Sequence, residues 1–175
     1  MSNATSTFAM FFSCESFNQN IGNWDTSKNE NMMFMFAQAK SFNQDISVWN
    51  TSNVTTTNGM FYNAFQFNQN IGNWNLSKVT NMRSMFQGAT SFNGNILNWD
   101  TSNVIDMAYM FSGCTNFFQD IRVWNVSSVQ VNYPGGGFTG MFEGCTLMLN
   151  AYPQLATSDG IAEWFASSDG GMFII

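Results

Sequence analysis

A spacing of 25 residues determines what this chain can fold into. Phenylalanine, isoleucine and tryptophan each recur at that interval, and each keeps its own position in the unit. The three columns are Phe17, Phe42, Phe67, Phe92 and Phe117; Ile21, Ile46, Ile71, Ile96 and Ile121; and Trp24, Trp49, Trp74, Trp99 and Trp124. Such self-similarity indicates a repeat protein in which each unit buries its apolar face against its neighbours. We therefore predict one solenoid domain, residues 1–175, of about six coils.

The repeats extend over about residues 8–146. Near residues 133–140 a Gly-rich insertion delays the next Met-Phe pair, Met141-Phe142, by six residues, and its composition predicts a surface loop. Residues 147–175 no longer follow the columns. Because the open end of a solenoid exposes its core, we predict that this segment is a divergent C-terminal cap.

Two kinds of local structure are predicted within each unit. Residues 77–91 read SKVTNMRSMFQGATS, and their apolar residues fall on one face of a helix. With Ser77 as N-cap, this predicts a short helix or tight helical turn over about residues 79–88 and their equivalents. The segment FNQDISVW has helical spacing but is rich in poor helix formers, so we predict a short extended segment near the Ile and Trp.

A longer phrase recurs with the columns, reading FNQDISVWNTSNV at residues 42–54 and FNQNIGNWNLSKV at residues 67–79. With the Asn-Met-x-x-Met-Phe that follows, this pattern resembles the repeat of the BspA-like bacterial surface proteins, a family that includes the Mycoplasma-type surface lipoproteins. The resemblance covers about residues 8–146. It implies a right-handed, leucine-rich-repeat-like solenoid, at the cell surface or secreted, that acts in adhesion or protein–protein interaction. The second unit departs from the pattern, with Thr57 where Met32 and Met82 stand.

Composition excludes several classes of partner and reaction. The formal net charge is −6 and the five basic residues are dispersed, which disfavours nucleic acid and anionic membrane surfaces. No apolar run is long enough for direct membrane insertion. The chain has no His, no GxGxxG motif and no Walker-type loop, so we predict that it is not an enzyme and needs no cofactor.

Acidic and cysteine residues share columns with other residue types. Asp25 and Asp100 are three repeats apart, as are Asp45 and Asp120. At about 4.8 Å for each strand spacing, neither pair can hold one calcium ion, and we predict no metal site.

An Asx residue follows every Trp of the repeat, and we interpret this column as turn-forming. The three cysteines stand at a repeat position that Ala occupies in the other units, and we predict that they are core residues; they are Cys14, Cys114 and Cys145. In an oxidising compartment, Cys114 and Cys145 could instead form a disulfide.

The leading functional hypothesis is a non-enzymatic module that presents a polar face to a protein or glycan. The predicted contact residues are Asn43, Gln44, Asn68, Gln69, Asn93 and Gln119. An architectural spacer within a longer surface protein is the first alternative. Ice binding is a weaker one, because the ladder of Thr26, Thr51 and Thr101 is interrupted by Leu76 and Val126. The sequence begins within a repeat and without a leader, so we expect a fragment of a longer protein, and an intracellular location stays open.

Overall fold

Successive repeats lie directly on one another in the computed structural model, which describes residues 3–131 and 134–167. The ring of Trp49 is nearly parallel to those of Trp24 and Trp74, with centroids 6.5 and 6.4 Å away. The Phe42 and Phe67 rings stack in the same way at 5.9 Å. Residues 25 apart in the sequence are therefore neighbours in space.

The backbone of each repeat divides its hydrogen bonds between its own turns and the next repeat. In the third unit Met82, Ser84 and Phe86 donate their N–H groups to carbonyls 24 residues further on, at 2.9–3.0 Å. The intervening Met85, Gln87 and Ala89 donate to carbonyls three residues back, at 2.8–3.1 Å. This alternation joins each repeat to its neighbour without a continuous strand.

Of the short helix or tight helical turn predicted over residues 79–88, the structure has tight turns and not an α-helix. An α-helix would bond each N–H to the carbonyl four residues back, but these residues form tight turns instead. Ser84 and Gly88 take left-handed conformations, with φ of 54° and 73°, and each reverses the path that a helix would follow. In addition, the Asn81 side chain accepts the N–H of Arg83 at 2.9 Å, which holds the local backbone in a turn.

Near the Ile and Trp, where a short extended segment was predicted, the structure has a turn between these two residues. Trp74 donates its N–H to the carbonyl of Ile71 at 3.1 Å, so these residues close a tight turn. Among the described residues the β-type contacts are isolated parallel bridges, and they join the segment that was predicted to be helical. The bridged column is Ser6, Asn31, Thr56, Asn81 and Asp106.

The core runs along the stack as columns of rings and aliphatic side chains. From the second repeat onward the Phe, Ile and Trp columns are 0–4% exposed, which confirms the prediction that they form the interior. Within one repeat the Phe36 and Phe42 rings pack face to face at 3.9 Å. Each ring therefore has partners in its own repeat and in the adjacent ones.

A short helical segment follows the last repeat. It consists of α1 (Thr146–Ala151), a 3₁₀-helix (Pro153–Ala156) and α2 (Ser158–Ala166). Thr157 caps α2 by accepting the N–H of Gly160 at 3.0 Å. The buried Trp164 of α2 contacts Phe142 edge-on, with centroids 6.1 Å apart, so α2 packs over the end of a ring column. Residue 133 of the predicted insertion and residues 168–175 of the predicted cap lie outside the described residues.

Candidate functional site

The predicted contact residues form a row along the stack, which we name the amide row: Asn43, Gln44, Asn68, Gln69, Asn93 and Gln119. Its Asn side chains link successive repeats. The Oδ1 atom of Asn43 accepts the N–H of Asn68 at 2.9 Å, and that of Asn68 accepts the N–H of Asn93 at 2.8 Å. Asn18 begins the same ladder, because its Oδ1 atom accepts the backbone N–H of Asn43 at 2.9 Å. The sequence prediction did not include Asn18, although this residue shares the column. The Asn oxygens thus stabilise the stack.

Each Gln of the amide row bonds to the Asn of the preceding repeat. Gln69 donates its Nε2 to Asn43 Oδ1 at 2.8 Å, and Gln119 donates to Asn93 Oδ1 at 3.0 Å. The fourth repeat has Gly94 in place of a Gln, which interrupts the row. Within the described residues, the Asn side-chain NH₂ groups and the Gln side-chain carbonyls of the row make no hydrogen bond. The row therefore keeps one donor group and one acceptor group free in the second and third repeats, a donor group alone in the fourth and an acceptor group alone in the fifth.

A second candidate site lies on a different segment of the repeats. We name it the aromatic pocket, a cavity of about 360 Å³ lined by Phe12, Phe34, Gln38, Asn58, Tyr62, Arg83 and Ser84. This volume lies within the range of about 300–1,000 Å³ that is typical of ligand sites. No residue of the amide row lines it.

Backbone conformation shapes the aromatic pocket. Phe34, Gly59 and Ser84 occupy equivalent positions, and all three have left-handed φ values of 54–59°. The Phe34 ring lies across Gly59, where any Cβ would collide with it, so the absence of a side chain at residue 59 lets the ring lie flat on the next repeat. These residues were predicted to lie in a short helix or tight helical turn, and the pocket was not predicted. The sequence signal that could have indicated the pocket is the change from Phe34 to Gly59 at equivalent positions of two repeats.

The chain matches one protein-family model twice. Residues 1–80 and 65–160 each match the model of the family described as "Mycoplasma protein of unknown function, DUF285". The chain belongs to this family. The two tandem matches are those of a repeat-containing family. Neither the curated proteins nor the solved structures include a significant match to the chain.

The Asx column of this DUF285 chain forms the corners of its repeats. Asn50 Oδ1 accepts the backbone N–H and the hydroxyl of Ser52, at 3.1 and 2.7 Å, and Asp100 accepts the same pair from Ser102 at 3.0 and 2.6 Å. The Ser102 hydroxyl, followed by its backbone N–H, lowers the pKa of Asp100 below the ordinary value of 3.8. In residues 3–131 and 134–167, no group of three or more His, Cys, Asp or Glu could hold a metal ion.

The threonines considered for ice binding do not face solvent. Thr26, Thr51 and Thr101 are only 1–2% exposed. Their hydroxyls donate to carbonyls of the next repeat, as in Thr51 to Asn75 at 3.0 Å. A buried ladder of this kind joins repeats and presents no lattice to ice.

The cysteines of the DUF285 chain are unpaired, and two of them are buried. Cys114 donates its thiol to the carbonyl of Phe86 at 2.8 Å, and Cys145 donates to that of Cys114 at 3.1 Å. Burial raises the pKa of the Cys145 thiol to about 12 and that of Cys114 well above its ordinary value. The core prediction is wrong for Cys14, which is exposed because it lies on the uncovered side of the first repeat.

No helix within the described ranges is both long enough and apolar enough to cross a bilayer.

Proposed function

We propose that this repeat module binds an extended protein or glycan ligand through the amide row, as part of a BspA-like protein that is exposed at the cell surface or secreted. In this proposal the stack is a right-handed, leucine-rich-repeat-like solenoid, and the module is an adhesion element without enzymatic activity. The observation that carries the proposal is the row of side-chain NH₂ and carbonyl groups left without partners at successive repeats.

Rigidity of the row supports a binding role. Each Asn is held by a backbone N–H of the next repeat, and each Gln is held by an Asn, so neither side chain needs to be ordered when a ligand arrives. Ordering an exposed side chain costs about 0.5–1.5 kcal/mol on binding, and this cost is reduced here. The Phe67 ring, in the column next to the row, lies 5.9 Å from both Phe42 and Phe92, so the free groups recur at a nearly constant interval.

Low charge favours the same kind of ligand. Only 9% of the residues are charged, and the amide row contains none of them. Amides offer both donors and acceptors without a charge, which suits polar and uncharged ligands such as a peptide backbone or a polysaccharide. Because the second and third repeats present the same donor and acceptor, a ligand long enough to span both should bind more tightly than a shorter one.

The test must remove the free groups without breaking the ladder. Asp keeps the oxygen that Asn uses and removes the NH₂ group, while Lys keeps a donor in place of the Gln amide and removes the carbonyl. The quadruple variant Asn43→Asp, Gln44→Lys, Asn68→Asp and Gln69→Lys therefore keeps the net charge and the inter-repeat bonds. We expect it to lose binding to arrays of host-matrix proteins and neutral polysaccharides that the unmodified chain recognises.

Asn73→Asp with Asn98→Lys is the matched control, because both residues are exposed, lie outside the row and make no side-chain hydrogen bond within the described residues. This control should bind like the unmodified chain. Equal binding by the control and the quadruple variant would exclude the amide row as the contact face.

An architectural spacer is the second candidate, and one observation favours it. The Asn oxygens of the amide row are all used between repeats, so these residues have a structural reason to recur without any ligand. A spacer predicts no binding on either array, together with further domains in the full open reading frame.

A further inference from the structure

The polar groups of the aromatic pocket have unused hydrogen-bonding capacity. Gln38 accepts the hydroxyl of Ser13 through Oε1 at 2.7 Å, which orients its amide and leaves the NH₂ group without a partner. The side-chain amide of Asn58 and the hydroxyl of Tyr62 make no hydrogen bond with any described residue. Three neighbouring side chains therefore offer donors and acceptors at one cavity.

Arg83 is fixed at the edge of the same cavity. Its guanidinium lies 3.4 Å from the carboxylate of Asp106, donates to the carbonyl of Gly135 and packs over the Tyr109 ring at 5.2 Å. Asp106 offsets the positive charge, and none of the residues that line the pocket is acidic. The pocket thus presents directional donors with little net charge.

Aromatic faces complete the lining. The rings of Phe12, Phe34 and Tyr62 belong to three consecutive repeats, and Phe12 is 49% exposed. A sugar ring has one face of C–H groups that packs on an aromatic ring, and an edge of hydroxyls that both donate and accept. Paired aromatic and amide or guanidinium side chains satisfy both parts of such a ligand.

We propose that the aromatic pocket binds a neutral pyranose sugar, as one or two residues of a glycan chain. Its rings pack against the apolar face of the sugar, and its side chains Gln38, Asn58 and Arg83 bind the hydroxyls. A proline-rich peptide fits less well, because four of the seven lining residues are polar and such a peptide has few donors to satisfy them. The site is separate from the amide row and does not depend on the function proposed for that row.

Titration calorimetry of the whole chain tests the proposal with trisaccharides of glucose, galactose, mannose and N-acetylglucosamine. We expect saturable binding of at least one of them. Tyr62→Ala and Asn58→Asp should each weaken that binding by about tenfold, the loss expected for one ring contact or one good hydrogen bond. If Tyr62→Ala does not fold, Asn58→Asp still tests the pocket, because Asn58 is only half-buried and its substitution should disturb the fold less.

Two controls locate the site. Phe65→Ala removes another exposed aromatic ring, which does not line the pocket, and should leave the affinity unchanged. The amide-row quadruple variant should also bind the trisaccharide normally, so a failure of the row and a failure of the pocket are distinguishable. Absence of binding to all four sugars, unchanged affinity in both pocket variants, or binding of a polyproline peptide alone would overturn the proposal.

Discussion

Replacing Thr57 by Val should stabilise this protein. Thr57 is fully buried, and its hydroxyl has no hydrogen-bond partner among the described residues. The equivalent residues of the neighbouring repeats, Met32 and Met82, are also buried and carry no polar hydrogen-bonding group. Thr57 thus places a polar group between two apolar neighbours of its column.

The size of the gain follows from the cost of that hydroxyl. Burying a hydroxyl without a partner costs about 1–3 kcal/mol in mutational data. Val has nearly the same shape and replaces the hydroxyl by a methyl group, so Thr57→Val should recover about 1–2 kcal/mol. For a chain of this length, each kcal/mol raises the melting temperature by about 2–4 °C.

Urea denaturation followed by tryptophan fluorescence measures the change, with Thr51→Val as the matched control. The Thr51 hydroxyl is equally buried but donates to the carbonyl of Asn75 at 3.0 Å. The same substitution should therefore destabilise the protein by about 0.5–1.5 kcal/mol at residue 51. The two variants should shift the urea midpoint in opposite directions. A loss of stability in Thr57→Val would refute the reasoning, because it would show that the Thr57 hydroxyl makes a favourable hydrogen bond in the folded protein.

Three further predictions concern the core, the thiols and the corners. Trp74→Ala should cost about 3–5 kcal/mol in urea denaturation because the ring is 3% exposed, whereas Gln69→Ala should cost less than about 1 kcal/mol; equal small effects would show that Trp74 does not pack in the core. In a native thiol titration at pH 8 only Cys14 should react quickly, since burial raises the pKa of the other two thiols, and three equal rates would contradict this. The lowered pKa of Asp100 means that its charged form stabilises the fold above about pH 4 and that this contribution is lost as the pH falls through the lowered value. Asp100→Asn should therefore show a smaller loss of stability in acid than the unmodified chain, measured as the urea midpoint from pH 5 to pH 2, and identical acid profiles would contradict the prediction.

The buried columns could be predicted from the sequence because the prediction needs only the repeat period and the residue type, and not the secondary structure. A residue that recurs every 25 positions must meet the same environment in each repeat, whatever path the backbone takes between. Large apolar residues such as Phe42 and Trp49 can recur in this way only in an interior, and both are buried. Period and residue type were enough for this part of the fold.

The local conformation could not be predicted in the same way, because the repeat uses left-handed backbone at ordinary residues. Phe34, Ser84 and Tyr109 have φ of 54–57° although none of them is Gly or Asn. Such conformations are costly for L-residues and are not expected from a sequence. Here the surrounding repeats compensate, since the N–H of Ser84 bonds to the carbonyl of Ala108 at 2.9 Å in the next repeat. The apolar spacing of residues 79–88 imitates a helix because turns that reverse every few residues also return side chains to one side.

The same compensation between repeats changes how polar residues should be interpreted in this chain. A recurring Asn or Thr looks like part of a binding face in the sequence, but Asn68 and Thr51 both use their side-chain oxygens to join repeats. Recurrence alone is therefore evidence of a stacking role. Evidence for a ligand begins with the groups that stacking leaves free, such as the Asn58 amide and the Tyr62 hydroxyl in the aromatic pocket. Those two residues interrupt the repeat pattern, since Met33 and Ala37 stand at their positions one repeat earlier, and stacking does not explain the change.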